Sequence, residues 1–251
     1  MFVHHIDPIL VAVGPFSVRY YGIIYALGFI LAYLFLRQAG KKKEIPIQEA
    51  DIDALMLYLM IGIVLGARLF EIIFYNPSYY FHNPGEMLAI WHGGLSFHGG
   101  LAGAYLGALL FCKKKKVSLL LIADALAIPA ALALAFGRIA NFINGELYGI
   151  PTNLPWGVKF PGAPEFRHPS QLYEALKNAV IFFILLKVKK PTLKQGCLFG
   201  MFLVLYGAMR FLIEFVREPE IMVGPLTMGQ MLSIPTIIIG IWLIKRKNTG
   251  K

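Results

Sequence analysis

"ALALAFGRIANFINGELYG", residues 131–149, decides how the chain is read, because an apolar run passes without interruption into Arg138, Asn141, Asn144 and Glu146. On an ideal helix at about 100° per residue these four side chains spread over an arc of about 200°. A helix polar over that arc cannot lie against lipid. Gly137, Gly145 and Gly149 invite a break, so the stretch reads as a helix that unwinds around Asn144 within the protein, since irregular backbone is tolerated at membrane depth only when buried or lining a cavity. An ionisable residue in such a place is a functional candidate by default. The alternative is a structural Arg138–Glu146 pair that locks the break.

The surrounding composition supplies the membrane. Mean hydropathy is +0.64, 57% of residues are hydrophobic and 15% are charged, whereas roughly a quarter are charged in a soluble domain. Apolar runs of about 20 residues predict an all-α, polytopic protein with about seven spans, near residues 17–36, 54–74, 95–112, 118–137, 171–187, 197–216 and 228–244. Sixteen of the 24 Lys and Arg fall in four places: Arg37 with Lys41 to Lys43, Lys113 to Lys116, Lys187 to Lys194, and Lys245 to Lys251. These mark every second connection and the C-terminal end. The connections 75–94, 139–170 and 217–227 are poor in Lys and Arg, so the positive-inside pattern predicts an external N-terminus and a cytoplasmic C-terminus. The net charge of +10 then reflects basic residues facing an anionic inner leaflet. It does not describe a nucleic-acid surface, which would lace basic residues with aromatic ones.

"MFVHHIDPIL" has no basic leader region and reads as an external interfacial segment rather than a cleaved signal peptide. Cys112 and Cys197 fall at cytoplasmic span ends, where a disulfide is not expected. With no internal repeat and no long linker, one domain, residues 1–251, is the economical reading. No His- or Asp-rich spacing suited to a metal appears, and no cofactor is implied.

Other motifs concentrate near the external connections. In "LYGAMRFLIEFVREP", Tyr206, Arg210, Glu214 and Arg217 form one narrow stripe about 16 Å long if the helix is continuous. Two arginines about one glutamate leave a positive surplus, and a phosphate is its natural partner because guanidinium matches phosphate oxygens bidentately. The plainer alternative is that Glu214 neutralises an arginine and the rest snorkels. "WHGGLSFHGGLAGA" brackets Ser96 between His92 and His98, with glycine pairs that allow positive φ. His98 lies deeper in the apolar run and is the better proton acceptor near neutral pH; Ser96 lacks a nucleophile-elbow pattern. Tyr21 stands at the outer end of the first span, where an aromatic belt is ordinary. Arg68 and Glu71 are spaced for an ion pair on one helix. In "FRHPSQLYEA", His168 precedes a helix start that Ser170 is expected to cap, with Tyr173 and Glu174 in its first turns.

Together these motifs resemble the prolipoprotein diacylglyceryl transferase family: "GRIANFINGELYG" is similar to its signature, and "HGGLSFHGG", "RHPSQLYEA", "YGAMRFLIEFVREP" and "LTMGQMLSIP" to its other motifs in the same order. The resemblance runs from "RYYG" to the last span. It implies a bacterial inner-membrane enzyme with its site toward the outer face. The enzyme moves the diacylglyceryl group of phosphatidylglycerol to the lipobox cysteine thiol of prolipoprotein signal peptides and releases glycerol-1-phosphate. By motif position it implies catalytic roles for His98, Arg138, Glu146 and Arg210, with Tyr21, Asn141, Asn144, Gly149, His168, Tyr206, Glu214 and Arg217 at the substrate. Such a reaction needs a base for the thiol and cations for the leaving phosphate; His98 is the expected base and Glu146 the second candidate. Two other classes remain at this stage. An anionic-lipid transporter would also place arginines in the membrane, though it would favour repeated halves, and an intramembrane serine protease would use Ser96 with His98.

Overall fold

The structure, a computed structural model, describes residues 1–13, 16–45, 47–190, 192–219 and 221–246. Every expected span falls on a helix. The helices are α1 (Tyr20–Lys41), α2 (Glu49–Phe70), α3 (Pro77–His82), α4 (Phe97–Lys115), α5 (Leu119–Asn144), α6 (Ser170–Val188), α7 (Cys197–Ile213) and α8 (Met228–Lys245). A π-helical turn, Glu71–Tyr75, prolongs α2, and a 3₁₀ turn, Glu214–Val216, tightens the end of α7. Among the described residues five segments, Tyr20–Lys41, Glu49–Tyr75, Leu119–Asn144, Cys197–Val216 and Met228–Lys245, are long and apolar enough to cross a membrane. The chain is a mostly helical, multi-pass membrane protein.

Two boundaries that bear on the site differ from the sequence reading. The first helix starts at Tyr20 rather than residue 17, because strand β3 (Phe16–Arg19) pairs antiparallel with β2 (Ile9–Val13) just before it. The fourth span does not stop at residue 137 but continues to Asn144. The fold also carries short strands beside its helices: β1 (Phe2–Val3) runs parallel to β4 (Val158–Lys159), and β5 (Met222–Val223) forms a hairpin with β6 (Leu226–Thr227). The N-terminal segment is thus tied into the loop after α5. Buried His4 fastens it further, donating from Nε2 to the Phe142 carbonyl at 2.8 Å.

The described residues form two compact units, Met1–Phe35 with Ala123–Lys251, and Leu36–Ile122. In the first, α5, α6 and α7 enclose Ala127, Ile128, Ala131, Ile181, Leu185, Leu198 and Phe202. Asp124 near the start of α5 caps α7 from outside, its carboxylate accepting from the Gly196 and Phe199 amides at 2.6 and 2.7 Å. That arrangement satisfies orphan donors of a helix start and places a negative charge at the positive end of its dipole.

The second unit is built on glycine. Gly62 and Gly66 of α2 face Gly99, Gly103 and Gly107 of α4. A Cβ at Gly66 would stand 2.8 Å from the Gly103 Cα, and one at Gly103 would overlap the Gly62 carbonyl. Glycines four apart on both helices let the backbones touch, the arrangement by which membrane helices associate without a hydrophobic driving force. Arg68 does not pair with Glu71. Its buried guanidinium donates to the carbonyls of Met87, Gly93 and Gly94 at 3.0, 2.6 and 2.9 Å and also to Glu86, so it anchors the loop before α4. Glu71 accepts from Asn76 instead.

Candidate functional site

The opening motif ends α5 in a Schellman turn. The Glu146 amide donates to the Asn141 carbonyl at 3.1 Å and the Gly145 amide to Phe142 at 3.0 Å, with Gly145 at φ +69 supplying the left-handed step. The helix therefore unwinds at Asn144, as the sequence reading expects. The turn also folds the chain back so that Glu146 meets the face it has just left. Its Oε1 accepts from Asn141 Nδ2 at 2.7 Å and from Asn144 Nδ2 at 3.4 Å. Asn141 is itself buried, and its Oδ1 accepts from Arg138 Nη1 at 3.4 Å. Arg138 and Glu146 are thus joined through an asparagine rather than paired directly.

Arg138 pairs instead with a residue the sequence reading left unassigned. Glu174, one turn into α6 and 1% exposed, holds Arg138 Nε on Oε2 at 2.9 Å. Its Oε1 accepts from Arg217 Nη1 at 2.6 Å and from Arg210 Nη1. Lys177, three residues on and equally buried, lies 3.8 Å from Oε2 and 4.0 Å above the Tyr206 ring. Glu214 completes the cluster, 2.9 Å from Arg210 Nη2 and 3.8 Å from Arg217 Nε. Four basic groups thus share two carboxylates. Burying charges is unfavourable unless they are mutually paired, and here each is.

The stripe expected on α7 is therefore corrected at its end. The chain tightens at Glu214 and leaves the helix at Arg217, whose backbone is extended, φ −85 and ψ 153. Arg217 still reaches Glu174 because it bridges to Gly149. A Cβ at Gly149 would meet the Val216 carbonyl and stand 2.8 Å from His168 Cβ, so only glycine permits that crossing. The Gly149 amide in turn donates to the His168 carbonyl at 2.8 Å.

His168 sits at the end of a relay. Trp156 Nε1 donates to Tyr173 Oη at 2.8 Å, and Tyr173 Oη lies 3.1 Å from His168 Nδ1. With Tyr173 donating onward, His168 Nδ1 accepts and the ring proton resides on Nε2. Burial pushes the imidazole below its ordinary value, which favours this neutral form. Ser170 does not cap α6; its Oγ donates to the Leu147 carbonyl at 3.0 Å and binds the loop to the helix start. Tyr21 on α1 donates to Tyr25 at 3.1 Å and lies within reach of the charges on Arg138 and Glu146.

Of the predicted site residues only His98 belongs to the second unit. It lies in the first turn of α4, exposed, with Nδ1 3.2 Å from the hydroxyl of Tyr75. Gly93 and Gly94 adopt φ +88 and +70, as the glycine pair suggests. The side chain of His92 lies outside the described residues. Ser96 is buried as the cap of α4, its Oγ accepting from the Gly99 amide at 3.2 Å, which leaves it no place as a nucleophile. A Ser96→Ala protein is expected to lose about 1 kcal/mol of stability in a detergent thermal melt and to keep its activity.

Glu174 and Lys177 are what the sequence reading missed. The only available signal was their spacing of three in the polar first half of α6, close after "RHPSQ".

The comparisons agree with the motifs. Residues 8–246 match the family model described as prolipoprotein diacylglyceryl transferase. Phosphatidylglycerol–prolipoprotein diacylglyceryl transferase of Geobacter sulfurreducens is 43% identical over 98% of this chain and 98% of its own. Those of Rhodospirillum rubrum, 42% identical over 94% of this chain and 90% of its own, and Bordetella parapertussis, 43% identical over 94% and 93%, carry the same name. With helices α1 to α8 and the ionic cluster inside the matched span, the chain belongs to the prolipoprotein diacylglyceryl transferase family.

Proposed function

We propose that the chain transfers the diacylglyceryl group of phosphatidylglycerol to the lipobox cysteine of prolipoproteins, in the inner membrane of a bacterium, with its site toward the outer face. Seven spans with the N-terminus outside, and residues 1–251 as one catalytic domain, complete this reading. The observation that carries it is the buried ionic cluster around Glu174. Arg138 and Arg210 are its most accessible guanidinium groups, with side chains 21% and 16% exposed, and would take the phosphodiester in bidentate fashion. Asn144 Oδ1, buried without a hydrogen-bond partner among the described residues, offers an acceptor to a headgroup hydroxyl. His168 Nε2 offers a donor.

The bonds balance simply. The cysteine thiolate attacks the diacylglycerol carbon that carries the phosphate, a C–S bond forms and the C–O bond breaks. Its electron pair leaves as glycerol-1-phosphate. The thiol proton passes to His98, with Glu146 as second candidate. A thiol with a pKa of about 8.5 is already a few per cent ionised near neutral pH, so a modest base suffices. The larger requirement is charge: a monoanionic phosphodiester becomes a phosphomonoester of greater charge. Prepositioned arginines stabilise that change without reorganising.

The test is transfer of labelled diacylglycerol from phosphatidylglycerol to a lipobox peptide by the purified chain. Transfer is expected with wild type, is expected to fall by about 100-fold or more in Arg138→Ala, and to vanish with a peptide carrying serine for cysteine. Near-normal turnover by His98→Gln would remove His98 as the base. Binding of phosphatidylglycerol with no transfer at all would favour the anionic-lipid transporter.

A further inference from the structure

Lys177 has no access to a ligand, yet its amine is buried in the core of the site. Its side chain is 1% exposed, and Nζ has no hydrogen-bond partner among the described residues. Its two neighbours are the Glu174 carboxylate at 3.8 Å and the face of Tyr206 at 4.0 Å. The guanidinium groups that share Glu174 with it retain 21% exposure at Arg138 and 16% at Arg210. The four cations therefore divide into two kinds. Arg138 and Arg210 can turn toward a phosphate, whereas Lys177 can only stay.

We propose that Lys177 is the standing counterion of Glu174, a positioning residue that lets Arg138 and Arg210 exchange the carboxylate for the substrate's phosphate. The inference rests on the transferase reading above and adds a role to the same site. In the empty site Glu174 holds the arginines in place and keeps them ordered. When a phosphate arrives, each guanidinium that swings to it strips a counterion from a carboxylate that is 1% exposed. A buried carboxylate left with too little positive charge is strongly unfavourable, so the exchange needs a cation that stays behind. Arg217, with a side chain 8% exposed, helps from the Oε1 side. Lys177 stands on the Oε2 side, the oxygen that Arg138 vacates. The Glu174 carboxylate and the ring of Tyr206 favour its ammonium form, against burial and the neighbouring arginines. Without Lys177, Glu174 would retain the arginines and oppose the phosphate.

Charge conservation gives the test. Lys177→Met removes the standing cation at similar volume, while Lys177→Arg keeps a cation at the same place. The probe is labelled glycerol-1-phosphate, bound at equilibrium to the full-length protein in detergent, with kcat and KM for phosphatidylglycerol measured in parallel. Lys177→Met is expected to weaken glycerol-1-phosphate about tenfold and to raise KM by a similar factor, the loss of roughly one charge-assisted contact. Lys177→Arg is expected to stay within about threefold of wild type. A role in packing alone would spare Lys177→Met, the closer match in volume, and would damage Lys177→Arg, so that order of effects overturns the proposal. So does a Lys177→Met protein that binds and turns over as wild type does. A wild type that neither binds glycerol-1-phosphate nor transfers would overturn the transferase reading itself, an outcome distinct from both.

Discussion

Glu174→Leu is expected to abolish transfer and to destabilise the protein by about 3–5 kcal/mol, the usual penalty for breaking a buried ionic group from one side. Glu174 is the one residue in direct ionic contact with Arg138, Arg210, Arg217 and Lys177. Leucine would leave those four cations with Glu214 alone in the cluster, and like charges at this proximity repel. The guanidinium groups would then splay or admit water, and the preorganisation on which phosphate stabilisation depends would be lost. Thermal melting in detergent together with the transfer assay checks the prediction. A Glu174→Leu protein that melts like wild type would mean that the arginines are held by their helices and not by the carboxylate.

The second large effect belongs to the glycine seam. Gly103→Leu is expected to prevent α2 and α4 from associating, giving protein that aggregates or is digested when extracted. A Cβ at this position would overlap the Gly62 carbonyl and stand 3.1 Å from the Gly66 Cα. Backbone cannot give way as a side chain can, so the helices must separate and every contact along the seam goes with them. Overpacking normally costs about 1–3 kcal/mol, and here the added atoms have no rotamer that avoids the partner helix. Gly85→Ala is the matching control, because an added Cβ there has nothing within 4 Å. Size-exclusion profiles and limited proteolysis of the two variants should differ sharply. Indistinguishable behaviour would show that the seam contributes little.

Hydrophobic run length located all seven long helices, since that signal survives averaging over a window. Their ends were less legible because local chemistry sets them. The first helix loses its opening residues to a β-hairpin partner that precedes it in the chain, and the fifth keeps its polar turns because Asn141 and Arg138 find partners within the protein. The site was half visible. Arg138, Asn141 and Glu146 could be grouped because they are close in sequence, and Arg210 with Glu214 because they share a helix face. Glu174 could not be joined to either group, since its partners lie 36 and 43 residues away and no periodicity links them. Arg68 and Glu71 misled for the converse reason. Their spacing favours a pair, but the carbonyls of a loop that returns from residues 86–94 take every donor Arg68 has to offer.

The polar load of α6 bears on how the protein is made. Gln171, Glu174, Lys177 and Asn178 are all 1% exposed, and Ser170–Val188 is not among the segments apolar enough to cross a membrane unaided. Each charged residue at the centre of a lone helix opposes insertion by about 2.5–3.5 kcal/mol on translocon scales. As the ribosome releases α6, Arg138 is already in the membrane on α5, but Arg210 and Arg217 have yet to be synthesised. During that interval Glu174 has Arg138 across the helix interface and Lys177 three residues along its own helix. Insertion of α6 is therefore expected to lean on α5 first, and the carboxylate that orders the site completes its ionic partners only when α7 arrives.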